Sequence, residues 1–211
     1  MQVGDKEERR HAILDAAERL LLRAPERIAN MAEVAAEAGL AKGTIYLYFP
    51  SKEELLLALH ERNIDSFFSA LMTQLEGPGP IGFAEIIKLI RAHIVAPPLF
   101  LPLASRCFGA IDQQIPAEVS RTFKLRMDER FAHAGAGLDR HVPALRPGGG
   151  ATLLRYSYAL ILGLWQMVGS KAQDEAAHVS QPPVAGWPYE DRLESALSAL
   201  WQGRLMADAG R

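Results

Sequence analysis

A chain of 211 residues that is 49% hydrophobic, 23% charged and 8% aromatic can bury a sizeable core, which excludes a disordered segment, a collagen-like repeat and a small disulfide scaffold. Its single cysteine, Cys107, permits no intrachain disulfide and no Cys-rich zinc site, so a reducing compartment is expected. With 23 Lys and Arg against 25 Asp and Glu the net charge is −2, and any surface for a polyanion has to be local. Residues 1–10 are polar and charged, unlike a secretory signal. The most apolar stretch, residues 153–168, carries Arg155 and Gln166 and falls short of the roughly 18 to 20 apolar residues that span a bilayer. The expectation is a cytoplasmic protein with no membrane partner.

Helical periodicity dominates and alternating Val/Ile/Thr runs are nearly absent, which predicts an all-α chain. A first helix is expected over about residues 7–23, with Ile13, Leu14, Ala17, Leu20 and Leu21 on one face and Pro25 ending it. Asn30 then stands at a cap position. Its side-chain oxygen can accept from the Glu33 N–H while Glu33 reaches back to the Asn30 N–H, which starts a short helix over residues 31–38. Gly39 follows where a left-handed C-cap costs least. A third short helix is expected over about residues 41–48, and Phe49-Pro50 stops it, because the residue before proline is pushed out of the α region. Ser51, with Glu54 as capping-box partner, opens a long fourth helix that carries Leu55, Leu59, Ile64, Phe67, Phe68 and Leu71 and ends near Gly77-Pro78-Gly79-Pro80.

Beyond this break the expected helices cover residues 83–95, 99–113, 116–138, 151–168 and 189–207. They are separated by Pro97-Pro98, Ile115-Pro116, Pro147-Gly148-Gly149-Gly150 and the proline-rich segment 181–188. The glycine run reads as a flexible turn before a helix. Helix 151–168 is apolar nearly all round through Leu153, Leu154, Tyr156, Leu160, Ile161, Leu164, Trp165 and Val168, so it should be buried on several sides. No internal repeat, low-complexity tract or heptad run is present.

Two short helices joined by a tight glycine turn, over about residues 30–49, are the helix-turn-helix arrangement, whose second helix enters the DNA major groove. Ala35, Ala36 and Ala38 let the helices approach, and Val34, Leu40, Ile45 and Leu47 are expected to share a core with Ile13, Leu14 and Ala17. Residues 1–60 hold eight basic and ten acidic side chains, yet the window 38–52 contains Lys42 and Lys52 and no carboxylate. Lys42 opens the third helix, where the dipole repels a cation; that is a poor structural choice and a sensible contact for phosphate or guanine. Gly43 lets the helix sit deep in the groove. Thr44 can donate to phosphate, offer its methyl to thymine, or cap the helix locally. Tyr46 and Tyr48 are two apart and fall on different helix faces, so at least one should face DNA. Met31 and Ala32 can approach the flanking backbone through main-chain N–H groups. Arg9 and Arg10 read either as a flexible arm or as an ordinary solvated charge run.

The residues Ile13-Leu14-Asp15-Ala16-Ala17, followed by Met31 to Leu55 with the string Ala38-Gly39-x-x-Lys42-Gly43-x-x-Tyr46-x-Tyr48-Phe49-x-x-Lys52-x-x-Leu55, resemble the N-terminal domain of TetR-family transcriptional regulators. The resemblance covers about residues 7–67, a third of the chain. It departs at residues 23–30, where the family commonly has a loop glycine and a threonine cap; Pro25 and Asn30 can serve both needs. The resemblance implies that Tyr48 and Lys52 grip phosphate, with Lys52 at a helix N-terminus that itself favours an anion, and that Tyr46 reads a base or sugar edge. It also implies a DNA-binding domain over residues 7–67 and a helical ligand-binding and dimerisation domain over residues 68–211. The last two long helices would pair with their symmetry mates. The implied protein is a homodimeric repressor that occupies a palindromic operator in double-stranded DNA and is released by a small apolar or amphipathic effector.

Candidate effector contacts are large or polar groups in otherwise apolar helices: Phe100, Arg106, Cys107, Phe108, Phe123, Met127, His133, Tyr158, Trp165 and Met167. Val119, Phe123, Met127 and Phe131, at i, i+4 intervals, also read as plain core. A DNA binder with no ligand would instead show a packed core without a cavity. A helical enzyme drawing on His93, Cys107 and His133 is the rival of another class, but no His-Glu-x-x-His, Cys-x-x-Cys, Gly-x-x-x-x-Gly-Lys or Gly-x-Ser-x-Gly occurs. No catalytic residue, metal or cofactor is expected.

Overall fold

The computed structural model describes residues 3–24, 27–79, 81–110, 114–168 and 189–209, and among these every regular element is helical. In chain order they are α1 Val3–Arg23, α2 Met31–Glu37, α3 Lys42–Ile45, α4 Lys52–Glu76, α5 Phe83–Ile90 running into a π-helical turn Arg91–Val95, α6 Phe100–Ala110, α7 Ala117–His141, α8 Gly149–Val168 and α9 Tyr189–Ala209. Pro25, Pro80, the expected helix end at residues 111–113 and the segment 181–188 lie outside the described residues.

The chain divides into two compact units, Met1–Asn63 with Pro98–Val119, and Ile64–Pro97 with Ser120–Arg211. In the first, Ile13, Leu14 and Ala17 of α1 pack with Val34 and Ala35 of α2, Ile45 of α3, Phe49, and Leu55 and Leu59 of α4. Leu99 and Leu103 complete the same core from beyond residue 67, so α6 belongs by packing to the unit that holds the helix-turn-helix. Leu47 does not join this core: it is 77% exposed, because Ile45 and Phe49 already fill the inward side of the turn.

Local chemistry sets the boundaries of the short helices. Asn30 Oδ1 accepts from the N–H groups of Ala32 (2.9 Å) and Glu33 (3.1 Å), and the Asn30 N–H donates to Glu33 Oε2 at 2.8 Å, closing the expected capping box. At the other end Gly39 has φ +69°; its N–H reaches Ala36 O at 3.1 Å and the Leu40 N–H reaches Ala35 O at 2.8 Å, a Schellman pair. α3 is shorter than the expected 41–48. Its last turn tightens into i→i−3 bonds, Leu47 to Thr44 (3.1 Å) and Tyr48 to Ile45 (3.0 Å), before Pro50. Ser51 caps α4 by accepting from the Glu54 N–H at 3.1 Å, and its hydroxyl, not its main-chain N–H, donates to the Glu54 carboxylate.

In the second unit, Leu193, Leu197 and Trp201 of α9 are buried at i, i+4 intervals, and α9 packs on α8. The buried Trp201 indole donates to Ser157 Oγ at 3.1 Å, so both polar groups are satisfied. The glycine run before α8 is not a flexible turn. Gly148 takes φ +81°, while Gly149 and Gly150 already lie in the helix, and the Asp139 carboxylate accepts from the N–H groups of Gly148 and Gly150, both at 2.7 Å. A Cβ on Gly150 would lie 2.4 Å from Gly135 O, and one on Gly135 would lie 2.3 Å from Ala151 N, so these glycines let α7 and α8 touch backbone to backbone.

Candidate nucleic-acid interface

The short α3 and the turn after it distribute their side chains over three directions. Ile45 and Phe49, four apart, are buried against α1, α2 and α4. Thr44 and Tyr48, also four apart, are half-buried on the flank, and Tyr48 rests on the core. Lys42, Gly43, Tyr46 and Leu47 form the outward side; Tyr46 is 44% exposed and Leu47 more so. Sequence reasoning missed Leu47, since an apolar residue one turn past Gly43 reads as core unless the inward positions are known to be full. The helix is capped at Ala41, which offers no side-chain bond, so Thr44 is not the cap, and no described residue bonds its hydroxyl. Met31 turns its side chain into the core, and Asn30 occupies the Ala32 and Glu33 N–H groups; what Met31 can offer DNA is main chain.

Charge follows the same division. Arg19 and Arg23 bind Glu37, Arg27 grips both oxygens of Glu33 (2.8 and 3.0 Å), and Arg62 bridges Asp15 and Glu18. Hydrogen bonds from Arg27, then the Asn30 N–H, hold the Glu33 carboxyl below its ordinary pKa, and Arg19 and Arg23 do the same for Glu37. The carboxylates of α2 are thereby matched within the fold. Lys42 has no ion-pair partner among the described residues, and Lys52 is 3.8 Å from Glu53, a loose contact between two half-buried side chains. A local positive surface therefore survives on a chain of net negative charge. Arg9 and Arg10 lie within α1, not on an arm, and the Arg10 guanidinium sits 4.9 Å above the Phe49 ring.

The expected effector contacts do not converge. Phe100, Arg106 and Cys107 are in the first unit, where Phe100 is fully buried edge-on to His60 at 5.3 Å, and Arg106 and Cys107 line a cleft of about 250 Å³. In the second unit Phe123 and Met127 are buried core, Tyr158 packs on Phe131 at 5.9 Å, and Trp165 packs on Tyr189 at 5.4 Å. The cleft of about 390 Å³ in that unit runs between α4 and α7 and is lined by Asp65, Phe68, Met72, Arg130 and His133 among others. Of the ten candidates only His133 reaches it. Among the described residues no group of three His, Cys, Asp or Glu side chains could hold a metal ion, and no single helix is long and apolar enough to cross a membrane.

Residues 13–59 match the family model described as bacterial regulatory proteins, tetR family, and residues 61–208 match the tetracyclin repressor-like, C-terminal domain. The chain is similar to the HTH-type transcriptional repressor KstR of Rhodococcus jostii, 35% identical over 135 residues, or 61% of this chain and 60% of that protein. It is also similar to the HTH-type transcriptional regulator EthR of Mycobacterium tuberculosis, 40% identical over 72 residues, 34% of this chain and 33% of the other. The matched region thus spans less than two thirds of each of these relatives. A crystal structure of a TetR-family regulator from Mesorhizobium loti shares the fold, with a TM-score of 0.59 at 17% identity over 96% of this chain and 97% of that one.

Proposed function

This chain belongs to the tetR family of bacterial regulatory proteins, and from that premise we propose that it is a cytoplasmic transcriptional repressor that binds a palindromic operator as a homodimer and is released by a small effector. The observation that carries the DNA half is the outward side of α3, where Lys42, Gly43, Tyr46 and Leu47 stand clear of the core while Lys52 opens α4 beside them in sequence. Lys42 and Lys52 supply the phosphate contacts, Tyr46 and Leu47 enter the groove, and Tyr48 and Thr44 reach the sugar-phosphate edge from the flank. The Met31 main chain flanks them.

Tyr156 and Met167 of α8 and Met206 of α9 are exposed in the single chain, which supports pairing of these helices with a second copy. Two copies would set their recognition helices about one helical turn, ~34 Å, apart. Because α4 carries Lys52 at one end and residues of the second unit at the other, it is the element through which an effector would alter that spacing. Lys52→Ala should weaken binding to every duplex alike and reduce the salt slope by about one, whereas Tyr46→Ala should change which sequences are preferred. An unchanged salt slope in the first, or unchanged preference in the second, removes that residue's role.

A further inference from the structure

Within the first unit, Ile28, the start of α4, the end of α6 and the residues Gln114 and Ile115 line the cleft of about 250 Å³. Its walls are apolar where Leu56, Cys107 and Ile115 line it, and all three are buried. Two cations also line it, Lys52 and the exposed Arg106, together with one carboxylate, Glu53. Arg106 has no ion-pair partner among the described residues, and Glu53 approaches only Lys52, at 3.8 Å. The lining therefore carries one net positive charge beside an apolar wall. The volume equals about eight waters' share of liquid, which suits a body of six or seven carbons and a small head group.

We propose that this cleft binds a small organic monocarboxylate, its two oxygens held by the Arg106 guanidinium and the Lys52 ammonium and its apolar body laid against Leu56, Cys107 and Ile115. A guanidinium fork matches a carboxylate in two parallel hydrogen bonds, and one negative charge matches the net charge of the lining. Cys107 serves as wall and not as nucleophile: burial pushes its thiol up to about 12, so no thiolate is available near neutral pH. An occupant also takes up the Lys52 ammonium. On the reading that Lys52 contacts DNA phosphate, the carboxylate and DNA compete for one cation, without any change in the second unit.

The test uses the full chain and hexanoate, with 1-hexanol as the uncharged control and inorganic phosphate as the anion without an apolar body, each titrated by ligand-observed NMR. Hexanoate should bind at least about tenfold more tightly than either control, and Arg106→Gln should weaken it about tenfold or more while Arg106→Lys restores part of the loss. Hexanoate should also weaken duplex binding by the wild type and leave that of Arg106→Gln unaffected. Equal hexanoate binding by wild type and Arg106→Gln, or none by the wild type, overturns the proposal. Weaker duplex binding by Arg106→Gln in the absence of any carboxylate also overturns it, by making Arg106 a phosphate contact. Binding of hexanoate that depends on Arg106, in a wild type that binds no duplex, supports the site and refutes the DNA reading instead.

Discussion

His60 offers a stability test whose size follows from its surroundings. It lies in α4 with no exposed surface, its ring edge-on to Phe100, and burial alone drops its pKa from 6.5 to about 3. The folded state therefore keeps the imidazole neutral where the unfolded chain takes up a proton. Above pH 6.5 both states are neutral and nothing is lost; as pH falls from 6.5 towards 3 the unfolded state gains progressively. The whole gap amounts to about 5 kcal/mol below pH 3, of which about 2 kcal/mol is lost between pH 7 and pH 5. The carboxylates of Glu33, Glu37 and Glu85, all held low by hydrogen bonds, contribute stability that is present above 4.5 and lost as pH falls below it, a window that overlaps the acid end of the His60 one but lies below pH 5. Urea unfolding at pH 7, 6 and 5 should show the wild type losing about 2 kcal/mol more than His60→Leu over this range, whatever the variant's absolute stability. The same pH dependence in both proteins would refute the assignment of a proton-excluding site at His60.

Substitution at two glycines of α7 should separate a backbone contact from a side-chain one. Gly135→Ala forces a Cβ onto the Ala151 backbone and should cost about 3 kcal/mol or more, whereas Gly137→Ala, whose Cβ would meet only the flexible end of the Leu75 side chain, should cost less; thermal unfolding that ranks them equally would contradict the close crossing. Leu47→Ala should leave stability within about 0.5 kcal/mol while Ile45→Ala costs about 2–5 kcal/mol, so a lowered duplex affinity in Leu47→Ala would report contact and not unfolding. Asn30→Ala should cost about 1 kcal/mol, read by chemical denaturation, through loss of the acceptor for the Ala32 and Glu33 N–H groups.

What sequence could foresee here was chemistry confined to a few neighbouring residues. Asn30 with Glu33, and Gly39 with its left-handed turn, are complete within a span of a few positions, and both formed as expected. Leu47 was misjudged because its exposure depends on Ile45 and Phe49 having filled the core, which only packing from α1, α2 and α4 decides. Gly150 looked like part of a flexible turn because the partner that requires it, Gly135 on α7, is distant in sequence. The effector candidates scattered for the same reason: Phe100 and Phe123 look alike in sequence, yet they are buried in different units.

Selection of bound sequences from a random duplex pool, followed by titration of the recovered site at two salt concentrations, tests the central reading most directly. The expected result is a two-fold symmetric site whose affinity falls steeply with salt, since Lys42 and Lys52 of each copy release counterions on binding. Failure of the folded, ligand-stripped protein to enrich any sequence, or affinity that salt does not change, would contradict a dimeric operator binder.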